Sequence, residues 1–293
     1  MEYLDGSRVR AAISIPTAMS ALRSGLAAAN PAQPVRGSTA WSGGELLVMP
    51  AEGGVVTGVK LVTVGNGPVR VQGVYVLFDA ATLAPLIVAD AIELTLIRTA
   101  ALSALATDLL APARASRLAI VGTGPQAREH ARAMCAVRPV SSITIRGRVP
   151  GRAESLVASL RAELDVPVAE SADVSGADIV CVCTTSPTPV VAARHLSPTA
   201  HVNAIGAHLP DTRELAADLV ATSFVVVDDA SSARREAGDL IMAVADGAAG
   251  DDVFANDLAR LVRGEIAPPA GGRTVFKSVG FGLADLLVAQ LLA

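Results

Sequence analysis

The chain has 293 residues, 51% of them hydrophobic and 18% charged, with a formal net charge of −4. That balance excludes a disordered chain, and with no basic run the surface has little to offer a nucleic-acid backbone or an anionic membrane. The length exceeds one ordinary doubly wound sheet and predicts two domains; so much apolar sequence predicts surface buried between subunits, hence an oligomer.

Residues 1–30 read as a helical opening with no basic start running into an apolar core, and no segment has the length of a bilayer span, so an unexported, cytoplasmic protein is expected. "QPVRGSTAWSGGELLVMPAEGGVVTGVKLVTV" follows as short β-rich runs broken by glycine pairs, the pattern of a meander or a partly open barrel, and "RVQGVYVLFDAATLAPLIVAD" extends that sheet. "AIELTLIRTAALSALATDLLA" carries the spacing of a long helix, and "PARAS" punctuates it, setting a boundary near residue 112. Beyond it the pattern alternates: strand 117–121, helix 126–137, strand 142–146, helix 151–164, strands 178–184, 201–205 and 224–228, and one helical stretch "SARREAGDLIMAV". Such alternation predicts a parallel sheet covered on both faces. "TVFKSVGFGLADLLVAQLLA" closes the chain with a strand and an apolar helix. Cys135, Cys181 and Cys183 have no metal-like spacing; Cys181 and Cys183 share one face of a strand and read as core, and no metal site is expected.

Chemistry enters at "RLAIVGTGPQAREHARAM", residues 117–134. Gly122 permits a tight turn, Gly124 lets backbone approach a pyrophosphate, and Ala127 stands where the third glycine of the dinucleotide fingerprint allows close helix packing. Thr123, Pro125 and Gln126 complete the turn, and the helix N-terminus presents free N–H groups to phosphate. A lone motif of this kind can be a structural turn, but here it follows a strand and opens a helix in an alternating domain. At the end of the second strand NAD would require a carboxylate for its ribose 2′-hydroxyl, whereas "ITIRGRVPGR" offers Arg146 and Arg148. Guanidinium groups there match a 2′-phosphate, so NADPH is expected over NADH, the alternative being solvated surface arginines.

Several stretches together resemble the ornithine cyclodeaminase and mu-crystallin family: "GELLVMPAEGGVVTGVKLVTV", "LTLIRTAALSALATDLLA", "AIVGTGPQA", "HVNAIGAHLPDTREL", "REAGDL" and "TVFKSVGFGLADL". The resemblance covers nearly the whole chain. It implies a homodimer built from an α/β Rossmann dinucleotide-binding domain, residues 113–279, and a smaller α+β substrate and dimerisation domain, residues 1–112 completed by the C-terminal helix 280–293. It implies chemistry at the carbon–nitrogen bond of an α-amino or α-imino acid, with the substrate carboxylate gripped by Arg36, Lys60 and Arg98. Thr185 and Ser278, with the Gly238–Asp239 pair, resemble cofactor-side residues.

The residues speak to the same point. Arg98 interrupts an apolar helix and Lys60 an apolar strand, where cations need an anion. A substrate carboxylate would serve; taken singly, either side chain could instead reach solvent or pair with a core acid such as Glu93. Cyclodeaminases resemble one another in an aspartate where this chain has His208, and in a glutamate where it has Leu47. The expected reaction is therefore NADPH-dependent reduction of a cyclic or substituted α-imino acid, with Lys60 or His208 as proton donor. The alternatives are a cyclodeaminase with bound NAD, a dehydrogenase of an N-substituted amino acid, and a non-catalytic NADPH-binding protein.

Overall fold

The computed structural model describes residues 2–28, 33–65, 71–149 and 151–293. In chain order the elements are β1 (Glu2–Leu4), α1 (Gly6–Ala12), α2 (Ile15–Ala27), β2 (Gly37–Trp41), β3 (Gly44–Glu52), β4 (Val56–Gly65), β5 (Val71–Asp79), β6 (Pro85–Asp90) and α3 (Ala91–Leu110). They continue with β7 (Arg117–Val121), α4 (Pro125–Val137), β8 (Ser142–Arg146), α5 (Arg152–Glu163), β9 (Val168–Glu170), β10 (Ile179–Val182), β11 (His201–Ala204), α6 (Ala217–Ala221) and β12 (Ser223–Val227). Last come α7 (Ala230–Glu236), α8 (Gly238–Ala245), α9 (Leu258–Val262), β13 (Arg273–Lys277) and α10 (Gly282–Ala289). The chain divides into two compact units, Met1–Leu102 with Phe281–Ala293, and Ser103–Gly280. The division lies inside α3; the sequence places it at residue 112, because the breaker "PARAS" ends the helix later than the contacts change.

In the first unit the strands form one sheet in the order β1-β6-β5-β4-β3-β2, antiparallel except for β1, which runs parallel to β6. β1 and β2 are edges, so the sheet is open rather than a barrel, and the helical opening is preceded by a strand. Two helices follow because Asp5 caps α1 and Ser14 caps α2 in a reciprocal bond with Thr17. β4 alternates buried and half-buried residues, which puts Val56, Gly58, Lys60 and Val62 on one face. The register sets Lys60 between Met49 of β3 and Tyr75 of β5. α10 packs on β3, β4 and β5 and against α2.

In the second unit seven parallel strands run in the order β12-β13-β11-β10-β7-β8-β9. β10 and β11 are buried at every position, as a sheet covered on both faces requires. The order reverses between β7 and β10, the point at which doubly wound sheets bind ligands beyond their strand ends. β9 is too short to be conspicuous in sequence. The stretch "SARREAGDLIMAV", which reads as one helix, is two: the backbone leaves the helix at Ala237 and resumes at Gly238, which turns Asp239 into the interior.

Candidate active site

The first unit brings Lys60 and Arg98 together, both 5% exposed or less. The anion they share is Asp285, from the first turn of α10. Lys60 Nζ lies 2.8 Å from Asp285 Oδ2, and Arg98 Nε lies 2.8 Å from Asp285 Oδ1. Glu93, the acid in reach by sequence, pairs with Arg10 instead. Burial pulls the Lys60 ammonium down to about 8, aided by Arg98 and Arg36 and opposed by Asp285. Arg36, half-buried just before β2, thus acts on Lys60 through its charge. Lys60 and Arg98, two cations on one carboxylate, leave the cluster with room for a second anion. Leu47 sits on the sheet face that carries Lys60, since Leu47 is opposite Val62 in the register. Tyr75 is fully buried next to Lys60, its hydroxyl pushed up by burial and by Asp285.

The second unit carries the glycine turn. Gly122 has φ +130°, and a Cβ there would stand 2.3 Å from the Cys183 carbonyl oxygen; only glycine lets β7 turn beside the end of β10. At Gly124 a Cβ would meet nothing within 4 Å. Gly124 is also the N-cap of α4, with no side chain capping the helix, so the positive end of the helix dipole stands open at this turn. Ala127 is fully buried against the sheet, while Thr123 and Gln126 are half-buried and Pro125 is exposed. These features fit a dinucleotide pyrophosphate. Of the two arginines at the end of β8, Arg148 is exposed, whereas Arg146 donates through Nη1 to the Val190 carbonyl at 3.0 Å. Arg146 is therefore engaged within the unit, and Arg148 is the exposed member of the pair.

The strand ends beyond the switch point are held by Glu214, which no sequence pattern marks for that role. Its Oε1 accepts from the N–H and hydroxyl of Thr184 at 2.7 and 2.6 Å; its Oε2 accepts from the N–H groups of Gly206 and Ala207 at 2.7 and 2.9 Å. One buried carboxylate thus ties the segment after β10 to the segment after β11, and burial raises its proton affinity. Thr185 is exposed beside it. His208 is exposed too, with Nδ1 3.0 Å from the Gly206 carbonyl. Two expected cofactor-side groups are committed inside the unit. The Ser278 hydroxyl donates to Asp228 at 2.7 Å, and Asp239 pairs with the fully buried Lys277 at 2.7 Å while accepting from the N–H groups of Glu214 and Leu215. Lys277 in turn donates to the Ala207 carbonyl. Through Lys277 this network reaches the segment that leads to His208. Among the described residues no group of three or more His, Cys, Asp or Glu could hold a metal ion.

Residues 6–293 match the model of the ornithine cyclodeaminase/mu-crystallin family. The chain is 35% identical over 260 residues to a Δ1-pyrroline-2-carboxylate reductase of Bacillus cereus, covering 84% of this chain and 80% of that protein. It is 33% identical over 257 residues to ketimine reductase mu-crystallin of Mus musculus, covering 85% and 79%. Among solved structures, Thermococcus litoralis Δ1-pyrroline-2-carboxylate reductase in complex with NADH and L-proline superimposes with a TM-score of 0.93 at 28% identity, covering 99% of this chain and 96% of that one.

Proposed function

The chain belongs to the ornithine cyclodeaminase/mu-crystallin family, and from that membership we propose that it is an oxidoreductase that reduces the C=N bond of an α-imino acid with a nicotinamide cofactor, giving the α-amino acid. The observation that carries this reading is the buried Lys60–Asp285–Arg98 cluster, two cations on one carboxylate with Arg36 nearby. Such a cluster has one anion fewer than its charges call for, and the carboxylate of an imino acid fills that place. Five-membered Δ1-pyrroline-2-carboxylate is the first substrate to try, being the one named for the relatives with which the chain shares its length.

When bound, a reduced nicotinamide supplies hydride to the imine carbon. Arg98 reaches Asp285 through Nε, and the terminal nitrogens of its guanidinium form the fork that suits a bidentate carboxylate. Lys60 stands on the other oxygen of Asp285 and, with its ammonium at about 8, is a proton donor matched to neutral pH. His208, exposed on a loop of the second unit, is set aside as the donor. Arg36 adds attraction for the carboxylate. Leu47, apolar on the sheet face of Lys60, supplies no base for deamination.

Three finer assignments follow. NADPH is preferred to NADH, supported by exposed Arg148 and by the absence of a carboxylate at the end of β8. The protein is a homodimer, supported by edge strand β2, all of whose residues are exposed, Trp41 among them. It works in the cytoplasm, supported by three unpaired cysteines; no helix of the described residues is long and apolar enough to cross a membrane. The test of the function is a screen of five-membered, six-membered and acyclic α-imino acids against the full chain, following nicotinamide absorbance. Oxidation with at least one of them is expected, and none with any would overturn the reading.

A further inference from the structure

Asp285 lies in the apolar run "GLADLLVA" of α10, its side chain fully out of solvent. One cation meets each of its oxygens at 2.8 Å, so the contacts with Lys60 and Arg98 are its compensation for burial. Its place in the first turn of a helix adds the favourable end of the dipole. A carboxylate so placed does more than neutralise. It spans a β-strand cation and an α-helix cation, one on each oxygen, and so sets the distance between them.

We infer that Asp285 is a positioning residue for imine reduction: it anchors the Lys60 ammonium and the Arg98 guanidinium on one carboxylate, so that the proton donor and the carboxylate anchor meet the same substrate in a fixed frame. This rests on the imine-reductase assignment made above. Lys60 is faced by Asp285 from α10, by Arg98 and Thr95 from α3, by Tyr75 from β5 and by Arg36 from the segment before β2. Among the described residues Asp285 is the charged group that favours the ammonium; Arg98, Arg36 and burial oppose it. In the step it serves, hydride forms the new C–H bond at the imine carbon while the C=N π pair withdraws to nitrogen and takes a proton from Lys60 Nζ. The imino acid gains two electrons, the nicotinamide is oxidised by two, and Lys60, left as a neutral amine, regains its proton from water. Without Asp285 the ammonium would already be lost at neutral pH, and Arg98 would lose the contact that orients its guanidinium.

The test uses the full chain with its nicotinamide, reducing Δ1-pyrroline-2-carboxylate (or whichever imino acid the wild type reduces) from about pH 6 to about pH 9.5, with the variants Asp285→Asn and Asp285→Glu. In the wild type, kcat should fall on the alkaline side as Lys60 deprotonates. Asp285→Asn should move that limb down by about one pH unit or more and lower kcat about 100-fold at pH 8. Asp285→Glu should restore the limb to within about half a unit while leaving kcat about tenfold low, because one methylene displaces both cations. Calorimetry with L-proline as the probe at about pH 6, below the shifted limb, where Lys60 keeps its proton, should show Asp285→Asn binding within about tenfold of the wild type, since both cations keep their charge; general damage to the site would weaken binding and turnover together. Should Asp285→Asn fail to fold, Asp285→Glu carries the test by the position of its limb. A folded Asp285→Asn with an unshifted limb, or Asp285→Glu with a shifted one, overturns the role of Asp285 while leaving the reductase intact. A wild type that reduces no imino acid overturns the reductase assignment itself, and the role of Asp285 with it.

Discussion

Arg98 is where the chemistry can be tested one side chain at a time. Arg98→Ala removes the fork proposed for the substrate carboxylate and should cost kcat/KM about 3 kcal/mol or more, while a fluorescence titration with reduced nicotinamide should be close to unchanged. Normal turnover in that variant would send the carboxylate elsewhere. At the end of β8, Arg148→Ala should narrow the preference for NADPH over NADH by about 1–3 kcal/mol, the scale of a charge-assisted contact; equal affinity of the wild type for both would remove that assignment. Lys60 and Arg98 are legible in the sequence because each is a lone cation in an apolar pattern, and burial of a cation demands an explanation. The same signal exists for Asp285, the lone acid of "GLADLLVA", but the pairing is not legible, because only the fold brings α10 onto β4 and α3. Glu93 is nearer in sequence to Arg98 and belongs to Arg10. Likewise Ser278 and Asp239 carry the right chemistry for a ligand, and only the fold reveals their partners Asp228 and Lys277.

The turn between β7 and α4 separates two demands that one glycine motif merges. Gly122→Ala should destabilise the fold by about 2 kcal/mol or more, since the new Cβ meets a backbone carbonyl at a left-handed φ. Gly124→Ala should leave the melting temperature within about 2 °C of the wild type, there being open space, yet weaken nicotinamide binding about tenfold or more by filling the approach of the pyrophosphate. Thermal melts and cofactor titrations of the two variants check the contrast; a Gly124→Ala that binds normally would make the turn structural. Elements with strong period or flanking punctuation are legible from sequence alone: β7 and β8 occupy the residues predicted, and α4 and α5 shift by a residue at their ends. The misses have physical causes. β1 and β9 are three residues long and owe their existence to a neighbouring strand, β6 and β8, and the break between α7 and α8 is imposed by the burial of Asp239 against Lys277.

Across the whole chain, two buried histidines tie stability to pH. Burial holds His130 and His201 to about 4, His130 between Gln126 and Ser103, and His201 between Thr274 and Asn203. An unfolded imidazole titrates near 6.5, so between those values the unfolded chain binds more protons and stability falls as the pH drops. Glu214 and Asp228, whose carboxyls burial pushes up, act in the opposite direction. The readout is therefore a difference: between about pH 7 and about pH 5 the wild type should lose on the order of 2 kcal/mol more stability per histidine than His130→Gln or His201→Gln, measured by urea unfolding. Equal losses would mean that the imidazoles are not held neutral. What the folded molecule is for turns on one transfer of hydride, and the most direct measurement follows it with reduced nicotinamide deuterated at C4 and Δ1-pyrroline-2-carboxylate as acceptor. The account predicts proline deuterated at its α-carbon in step with nicotinamide oxidation, and no ammonia from L-ornithine given to the same enzyme with the oxidised cofactor. Unlabelled product, or ammonia released from ornithine at a rate comparable to nicotinamide oxidation, would contradict it and make the protein a cyclodeaminase or a binding protein instead.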